Sequence, residues 1–390
     1  MCRPVLCVDG THLRGEYRGK LLIAVALDAN NQILLVAYAI VDEEIIQSRG
    51  WFMEQLRHHV VRDLETVCII SDRHRGIVYA MSESPLWQEP FAYHRFCLRH
   101  VQSYLMTKYK NVEVKKLCWS LGVKLQRQKW NKYQQMIQLQ HPEVWRYLAD
   151  IGLDHWCLAH DGNRKWGIHG TNSSESYNNV LHGVRLLSIK AIIDSTFHRC
   201  VKLFVDDIAR GAHCRTSITP KNWKRLLSAD KKGAGHSVMV FDQSAGVYRI
   251  KTPRRVTGRG GNVQTVNYVQ QTCTCGKWQM YRFPCSHALA VYRHKGDEPT
   301  RLLADHYTTR IYRDQYSVSR FVPQSNPDEL PPIHWQLRGD DNMLVERRAS
   351  RVRARRIRNE MDIRDRREPR RCTNYQEPGH NCRSCPSRQQ

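Results

Sequence analysis

Two sets of side chains in this sequence have the types and spacing to do chemistry. The first reads Cys-x-Cys-x9-Cys-x-His, running from Cys273 and Cys275 to Cys285 and His287. Three thiolates and an imidazole make a tetrahedral set for structural Zn2+, and nine intervening residues suffice to loop around the ion. Closed coordination of this kind holds a fold together and leaves no open position for a reaction. Pro284 stiffens the return of the loop, and 288–292 reads as the start of a helix.

The second set is made of carboxylates. Asp9 ends an apolar run in Cys7-Val8-Asp9-Gly10-Thr11-His12, and Asp72 ends another in Ile69-Ile70-Ser71-Asp72-Arg73. If the two runs are neighbouring strands, both acids emerge at one sheet edge, where they repel each other unless divalent cations sit between them. Mg2+ or Mn2+ suits oxygen ligands of this type. A third acid from a helix would complete the site, and Glu175 in Thr171-Asn172-Ser173-Ser174-Glu175-Ser176-Tyr177-Asn178-Asn179 is the candidate. Two cations held in this way activate a water or hydroxyl for in-line attack on a phosphodiester and stabilise the leaving oxygen. Each acid also has an ordinary structural reading: Asp9-Gly10 as a strand-to-turn pair, Asp72 as a helix cap, Asn172-x-x-Glu175 as a capping box. Asp28, Asp42, Glu43, Asp63 and Glu65 compete for the same role on pattern alone.

Other ligand types are scattered more thinly. Cys97-x-x-His100 lies between the second and third acids, with His94 nearby, but two side chains are too few for a closed zinc site. His155, Cys157 and His160 have ligand-like spacing in a stretch whose Trp156 and Leu158 point to helix packing instead. Near the C-terminus Cys372, His380 and Cys385 follow the spacing of a Cys-Cys-His-Cys zinc knuckle, with Tyr375 in the place of the second cysteine and Cys382 close by.

The elements that must position these groups follow from hydrophobic periodicity. Strands are expected over 5–8, 21–27 and 33–41, with Asp28-Ala29-Asn30-Asn31 as a turn, then a helix over 51–64 and a strand over 67–70. A helix follows Asp72, and 91–98 reads as a fifth strand leading into a helix that carries Val101 and Leu105. Residues 108–166 read as a helical insertion, followed by helices over 173–187 and 189–205. Short strands over 236–241, 246–250 and 263–269 then mark a change of character, which predicts a domain boundary near 211–235.

Composition sets the broader limits. A chain of 390 residues that is 41% hydrophobic can bury a substantial core, and two folded units plus a tail are expected. Lysine and arginine number 61 against 37 acidic residues, a net charge of +24 that points first to nucleic acid as the partner. The segment 346–371 alone carries 12 arginines against 5 acids, and reads as a basic tail that contacts phosphates or serves as a nuclear-import signal. No run approaches the length of a spanning helix, so no membrane association is expected. The 14 cysteines, clustered rather than evenly spaced, fit metal ligation in a reducing compartment.

Taken in order, Val8-Asp9-Gly10-Thr11-His12-Leu13, Val41-Asp42-Glu43-Glu44, Gly50-Trp51-Phe52, Ser71-Asp72-Arg73-His74-Arg75-Gly76-Ile77, Cys97-x-x-His100 and Thr171-Asn172-Ser173-Ser174-Glu175-Ser176-Tyr177-Asn178 resemble the core of plant Mutator-like (MULE) DNA transposases. Cys273-Thr274-Cys275-Gly276-Lys277-Trp278 with Phe283-Pro284-Cys285-Ser286-His287-Ala288 resembles their SWIM-type zinc finger. The resemblance spans roughly residues 4–300. It implies an α/β fold: a ribonuclease-H-like mixed sheet over 1–210 with the helical insertion at 108–166, and a SWIM module over 236–300. A linker and Arg-rich tail over 323–371 and a degenerate knuckle over 372–386 would follow.

The same resemblance implies that Asp9, Asp72 and Glu175 are a DDE triad for Mg2+ or Mn2+, leaving the role of Cys97 and His100 open. It implies hydrolysis at transposon ends and attack of the freed 3′ hydroxyl on target DNA, carried out in the nucleus by a homo-oligomer on DNA. The alternative is a domesticated or truncated descendant that binds DNA as a transcription regulator without cutting it. In support of that alternative, the first strand begins almost at Met1, where the family's N-terminal DNA-binding region would be expected to precede it.

Overall fold

The computed structural model describes residues 2–15, 17–62, 64–254 and 260–317, all within one compact unit. Strands β1 (Val5–His12), β2 (Lys20–Leu27), β3 (Ile33–Val41), β4 (Val67–Ser71) and β5 (Ala92–Phe96) form a mixed sheet in the order β3-β2-β1-β4-β5. The first three make an antiparallel meander, while β4 and β5 run parallel to β1. Residues Leu21 to Ala26 of β2 are apolar without interruption and almost wholly buried, as expected of a strand covered on both faces. Alternation divides the strands between two layers. Val5, Cys7, Ile23, Cys68 and Ile70 enter one core, and Leu6, Val8, Leu22, Ala24 and Ile69 enter the other.

The β2–β3 turn is built around Asp28, whose Oδ1 accepts the backbone N–H groups of Asn30 and Gln32 at 2.8 and 2.6 Å. Asn31 takes the left-handed conformation there, which asparagine tolerates well. Asp28 is therefore a turn-making acid, one fewer competitor for the metal role. Helices α1 (Ile46–Leu56) and α2 (Arg75–Glu83) cover the second layer with Phe52, Met53, Leu56, Ile77 and Met81. Helix α1 starts earlier than the expected 51 and passes into a π-helical turn at Arg57–Val61.

The helical insertion comprises α3 (Leu98–Tyr109), α4 (Val112–Val123), α5 (Arg127–Gln140), α6 (Pro142–Asp150) and α7 (Leu153–Trp156). It has its own core of Leu98, Val101, Leu105, Leu121, Trp130 and Trp156, so α3 belongs to it and it starts ahead of residue 108. Helix α8 (Asn172–Val180) stops short of the expected 187, and Val184–Leu186 forms a separate 3-10 turn. The intervening Gly183 is a poor helix former. Helix α9 (Ile189–His213) runs eight residues past the expected 205.

The stretch 211–235, expected to be a boundary, is instead largely occupied by α10 (Pro220–Gly233). Antiparallel strands β6 (Ser237–Asp242), β7 (Val247–Lys251), β8 (Val263–Asn267) and β9 (Thr272–Cys273) follow, with α11 (Lys277–Tyr281) and α12 (Ser286–Lys295). Phe283 and Leu289 share a core with Leu226 of α10 and Leu181 beyond α8, so this second sheet region is docked on the first. A Cβ at Gly233 would meet the Ser286 carbonyl oxygen at 2.7 Å, which is why α10 approaches α12 through a glycine.

Beyond the finger the chain turns back, and α13 (Thr309–Gln315) returns to the first sheet. Tyr312 Oη donates to Asp207 at 2.7 Å and Tyr316 Oη donates to Asp28 at 2.9 Å, beside Ala29 and Leu34. This clamp had no counterpart among the sequence expectations. No helix among the described residues is long and apolar enough to cross a membrane.

Candidate metal centres

Parallel pairing aligns Cys7 of β1 with Ile70 of β4; two residues on stand Asp9, still within β1, and Asp72, the first residue after β4. Asp9 continues the parity of Val5 and Cys7, whereas Asp72 meets Arg49 of α1. Ser174 of α8 anchors the helix by donating to the Cys7 carbonyl at 3.1 Å. The next residue is Glu175. The helix cap is Thr171, and no side chain caps it, so Glu175 is free of the capping-box role that its spacing from Asn172 suggested.

Asp9 is nearly buried, with Oδ1 accepting the Gly10 N–H at 2.9 Å. Burial pushes its carboxyl up to about 6, and the charge of Asp72 pushes the same way, while His100, the Gly10 amide and Arg49 pull against them. Asp72 Oδ1 accepts the His74 N–H at 3.2 Å, and Arg49 Nη2 lies 3.8 Å from its Oδ2. Arg49 itself is buried on α1 and pairs with Glu44. Gly10 makes room for that pair, since a Cβ there would come within 2.6 Å of Glu44 Oε1.

Glu175 Oε2 accepts Arg99 Nη1 at 2.6 Å, whereas its Oε1 is buried with no hydrogen-bond partner among the described residues. Only Cys273, Cys275, Cys285 and His287 bring their ligand atoms within 4.8 Å of one another among the described residues, so the three acids stand in a looser group. Asp9, which feels the charge of Asp72, and the buried Glu175 oxygen without a described partner are donors of the kind that suits hard divalent cations. Asp42 accepts a hydrogen bond from Tyr17, which gives that competing acid a structural partner.

Cys97 and His100 form a clamp instead of a zinc site. Cys97 is buried at the start of α3; its N–H donates to the Ser71 carbonyl at 2.8 Å, and its sulfur accepts Thr171 N and Oγ1 at 3.2 and 3.3 Å. The residue thereby joins β4, α3 and α8, the three elements around the acids. Burial alone would raise the Cys97 thiol, but the hydrogen bond and charge of His100 outweigh it and lower its pKa. Burial disfavours the charged His100, yet Cys97, Asp9 and Asp72 together raise it to about 9. His94 bonds Ser71 Oγ at 2.9 Å and makes no third ligand.

The other loose ligand types are also absorbed by packing. His155 Nδ1 bonds the His94 carbonyl at 2.9 Å, Cys157 lies in the insertion core, and His160 packs edge-on against Trp130. Cys372, His380 and Cys385 lie outside the described residues, as does the 346–371 tail.

At the second sheet the four expected zinc ligands converge. Cys273 Sγ and Cys285 Sγ lie 3.6 and 3.7 Å from His287 Nδ1, and all three cysteines are buried. Hydrogen bonds from Cys273 and Cys285 lower the Cys275 thiol, and the same crowding raises Cys273. Three thiols pressed together with one favoured as thiolate form a donor set suited to a soft cation. His236 stacks on His287 at 5.2 Å between centroids and bonds Ser286 Oγ at 3.0 Å. Gln279 closes the knuckle by bonding both the N–H and the carbonyl of Cys273.

The geometry defines an α/β protein with a Cys3His set fit for zinc beside a small second sheet. Residues 5–104 match the family model described as the MULE transposase domain, and residues 265–296 match the SWIM zinc finger. The first match spans Asp9, Asp72, Cys97 and His100, and the second contains all four zinc ligands. The two matches support a MULE-type transposase and, with the Cys3His arrangement, zinc binding. No curated protein gives a significant match.

Arg49, Arg99 and Glu44 surround the acids without having been singled out beforehand. Arg99 offered one signal, its place inside Cys97-x-x-His100. Arg49 offered none, because a lone arginine in a helix reads as a surface residue.

Proposed function

We propose that the chain is a Mutator-like DNA transposase whose Asp9, Asp72 and Glu175 hold Mg2+ or Mn2+ for phosphodiester hydrolysis and strand transfer at transposon ends. The observation that supports this reading is the parallel register of β1 and β4, which pairs Cys7 with Ile70, each two residues ahead of Asp9 and Asp72. The strand order β3-β2-β1-β4-β5, with two parallel strands added to an antiparallel meander, supports the reading of a ribonuclease-H-like core. The divalent cations would supply nucleophile activation and charge neutralisation. The chain's own residues shape what surrounds them: Cys97 and Ser174 fix α3 and α8 against the strands, and Arg49 balances the acidic edge. In this reading the protein is nuclear, acts as a homo-oligomer on DNA, and contacts DNA backbone through its basic surplus.

One observation favours a second reading, a transposase-derived regulator that binds DNA without cutting it: Arg99 already occupies Glu175 Oε2. Both readings meet one assay, Mn2+-dependent cleavage of labelled duplex DNA. Catalysis predicts that Asp72→Asn loses at least about 100-fold of the wild-type rate, since a metal-binding carboxylate is removed. It also predicts that Arg99→Gln lowers the Mn2+ concentration needed for half-maximal rate. Equal signals from wild type and Asp72→Asn would leave the regulator reading in possession.

A further inference from the structure

Directly after Asp72 the chain places Arg73, which reaches across to the helical insertion. Its guanidinium hydrogen-bonds Tyr147 Oη on α6 and lies 5.3 and 5.4 Å from the ring centroids of Tyr104 and Tyr147. Those two rings stack on each other at 4.8 Å with planes 17° apart. Lys108 adds a second cation 5.2 Å from the Tyr147 ring, and Tyr104 remains 43% exposed on α3. A stacked tyrosine pair with an open outer ring, flanked by two cations, begins one residue from a candidate metal ligand.

We propose that Tyr104, backed by Tyr147, Arg73 and Lys108, is a stacking platform for an unpaired base of the DNA strand entering the acidic edge. Resting on the transposase reading, it adds a strand-binding site to it. Every base has a π-face that an aromatic ring can take, and flanking cations track the adjoining phosphates. Bases inside an intact duplex already stack on their neighbours, so the occupant is a base freed at a melted or cleaved end. The two cations, in a chain of net charge +24, match a polyanionic strand and oppose a basic peptide. The backing by Arg73 ties the platform to Asp72, so the stacked base sets where the following phosphate falls.

The test uses the full chain without added Mg2+ or Mn2+, so that zinc is retained and cleavage is prevented. The probes are a blunt duplex and the same duplex with a short unpaired flank carrying 5-iodouracil. Irradiation should crosslink the flank to the peptide containing Tyr104. Tyr104→Leu should lose about 5- to 150-fold in affinity for the flanked duplex, the span that stacking of one base supplies, and little for the blunt one. Tyr104→Trp should retain both the preference and the stack on Tyr147, and Tyr104→Leu should still unfold cooperatively because the ring is 43% exposed and in no buried core. Crosslinking elsewhere, or an unchanged flanked-to-blunt ratio in Tyr104→Leu, overturns the platform alone. A wild type that binds neither duplex overturns the transposase reading beneath it.

Discussion

His94 illustrates how single side chains near the acids respond to their setting. Burial, with the charges of His155 and Arg95, pushes it down from the ordinary histidine value to about 3, although Asp72 pulls the other way. A base whose folded pKa is lowered keeps its contribution to stability above its unfolded value of roughly 6.5 and loses it as pH falls towards 3. In that window the unfolded chain takes a proton that the folded one refuses, a slope of up to about 1.4 kcal/mol per pH unit. His94→Gln should therefore flatten the fall of urea midpoint between pH 6.5 and 4 relative to wild type. Parallel curves for the two proteins would show that His94 charges freely in the fold. Asp9 and Asp72 were legible at this scale because acids stand out beside apolar runs, although β1 runs on to His12 and Asp9 lies within it, whereas the partners of Glu175 and Asp72 were not. Arg49 and Arg99 reach the acids only through helices that are distant in sequence from them.

At the scale of elements, the return of α13 to the β2–β3 turn is the least expected feature. Asp28 is fully buried there, holding two backbone N–H groups of its own turn and the hydroxyl of Tyr316. Removing that hydroxyl in Tyr316→Phe should cost about 1–3 kcal/mol, the usual worth of a hydrogen bond to a charged acceptor. Equilibrium urea unfolding measures it, and a change below about 0.5 kcal/mol would mean that α13 is held by ring packing alone. Strands β1 to β4 were readable because their apolar runs are long and punctuated by turn residues. The clamp was not, since its helix is one or two turns long and its tyrosines carry no periodic signal.

For the whole molecule, zinc removal is the decisive perturbation. The finger shares Phe283 and Leu289 with the core that contains Leu226 and Tyr307, so its loss should spread to α10 and to the 299–315 return before reaching β1 and β4. Hydrogen exchange after zinc chelation should show faster exchange over 220–233 and 236–315, with β1 and β4 still protected. Loosening confined to 236–295 would restore the finger as an independent module. The sequence by itself determined the four zinc ligands, the two aspartates beside apolar runs and the basic surplus, because these depend on spacing along one segment or on composition. Only the tertiary structure decided that β1 and β4 pair in parallel just ahead of Asp9 and Asp72, and that Cys97 is a clamp. The same holds for the Arg99 partner of Glu175 and for a finger built into the main core. Each of these depends on which distant segments meet, and side-chain pairing across 70 to 290 residues leaves no local periodicity to read.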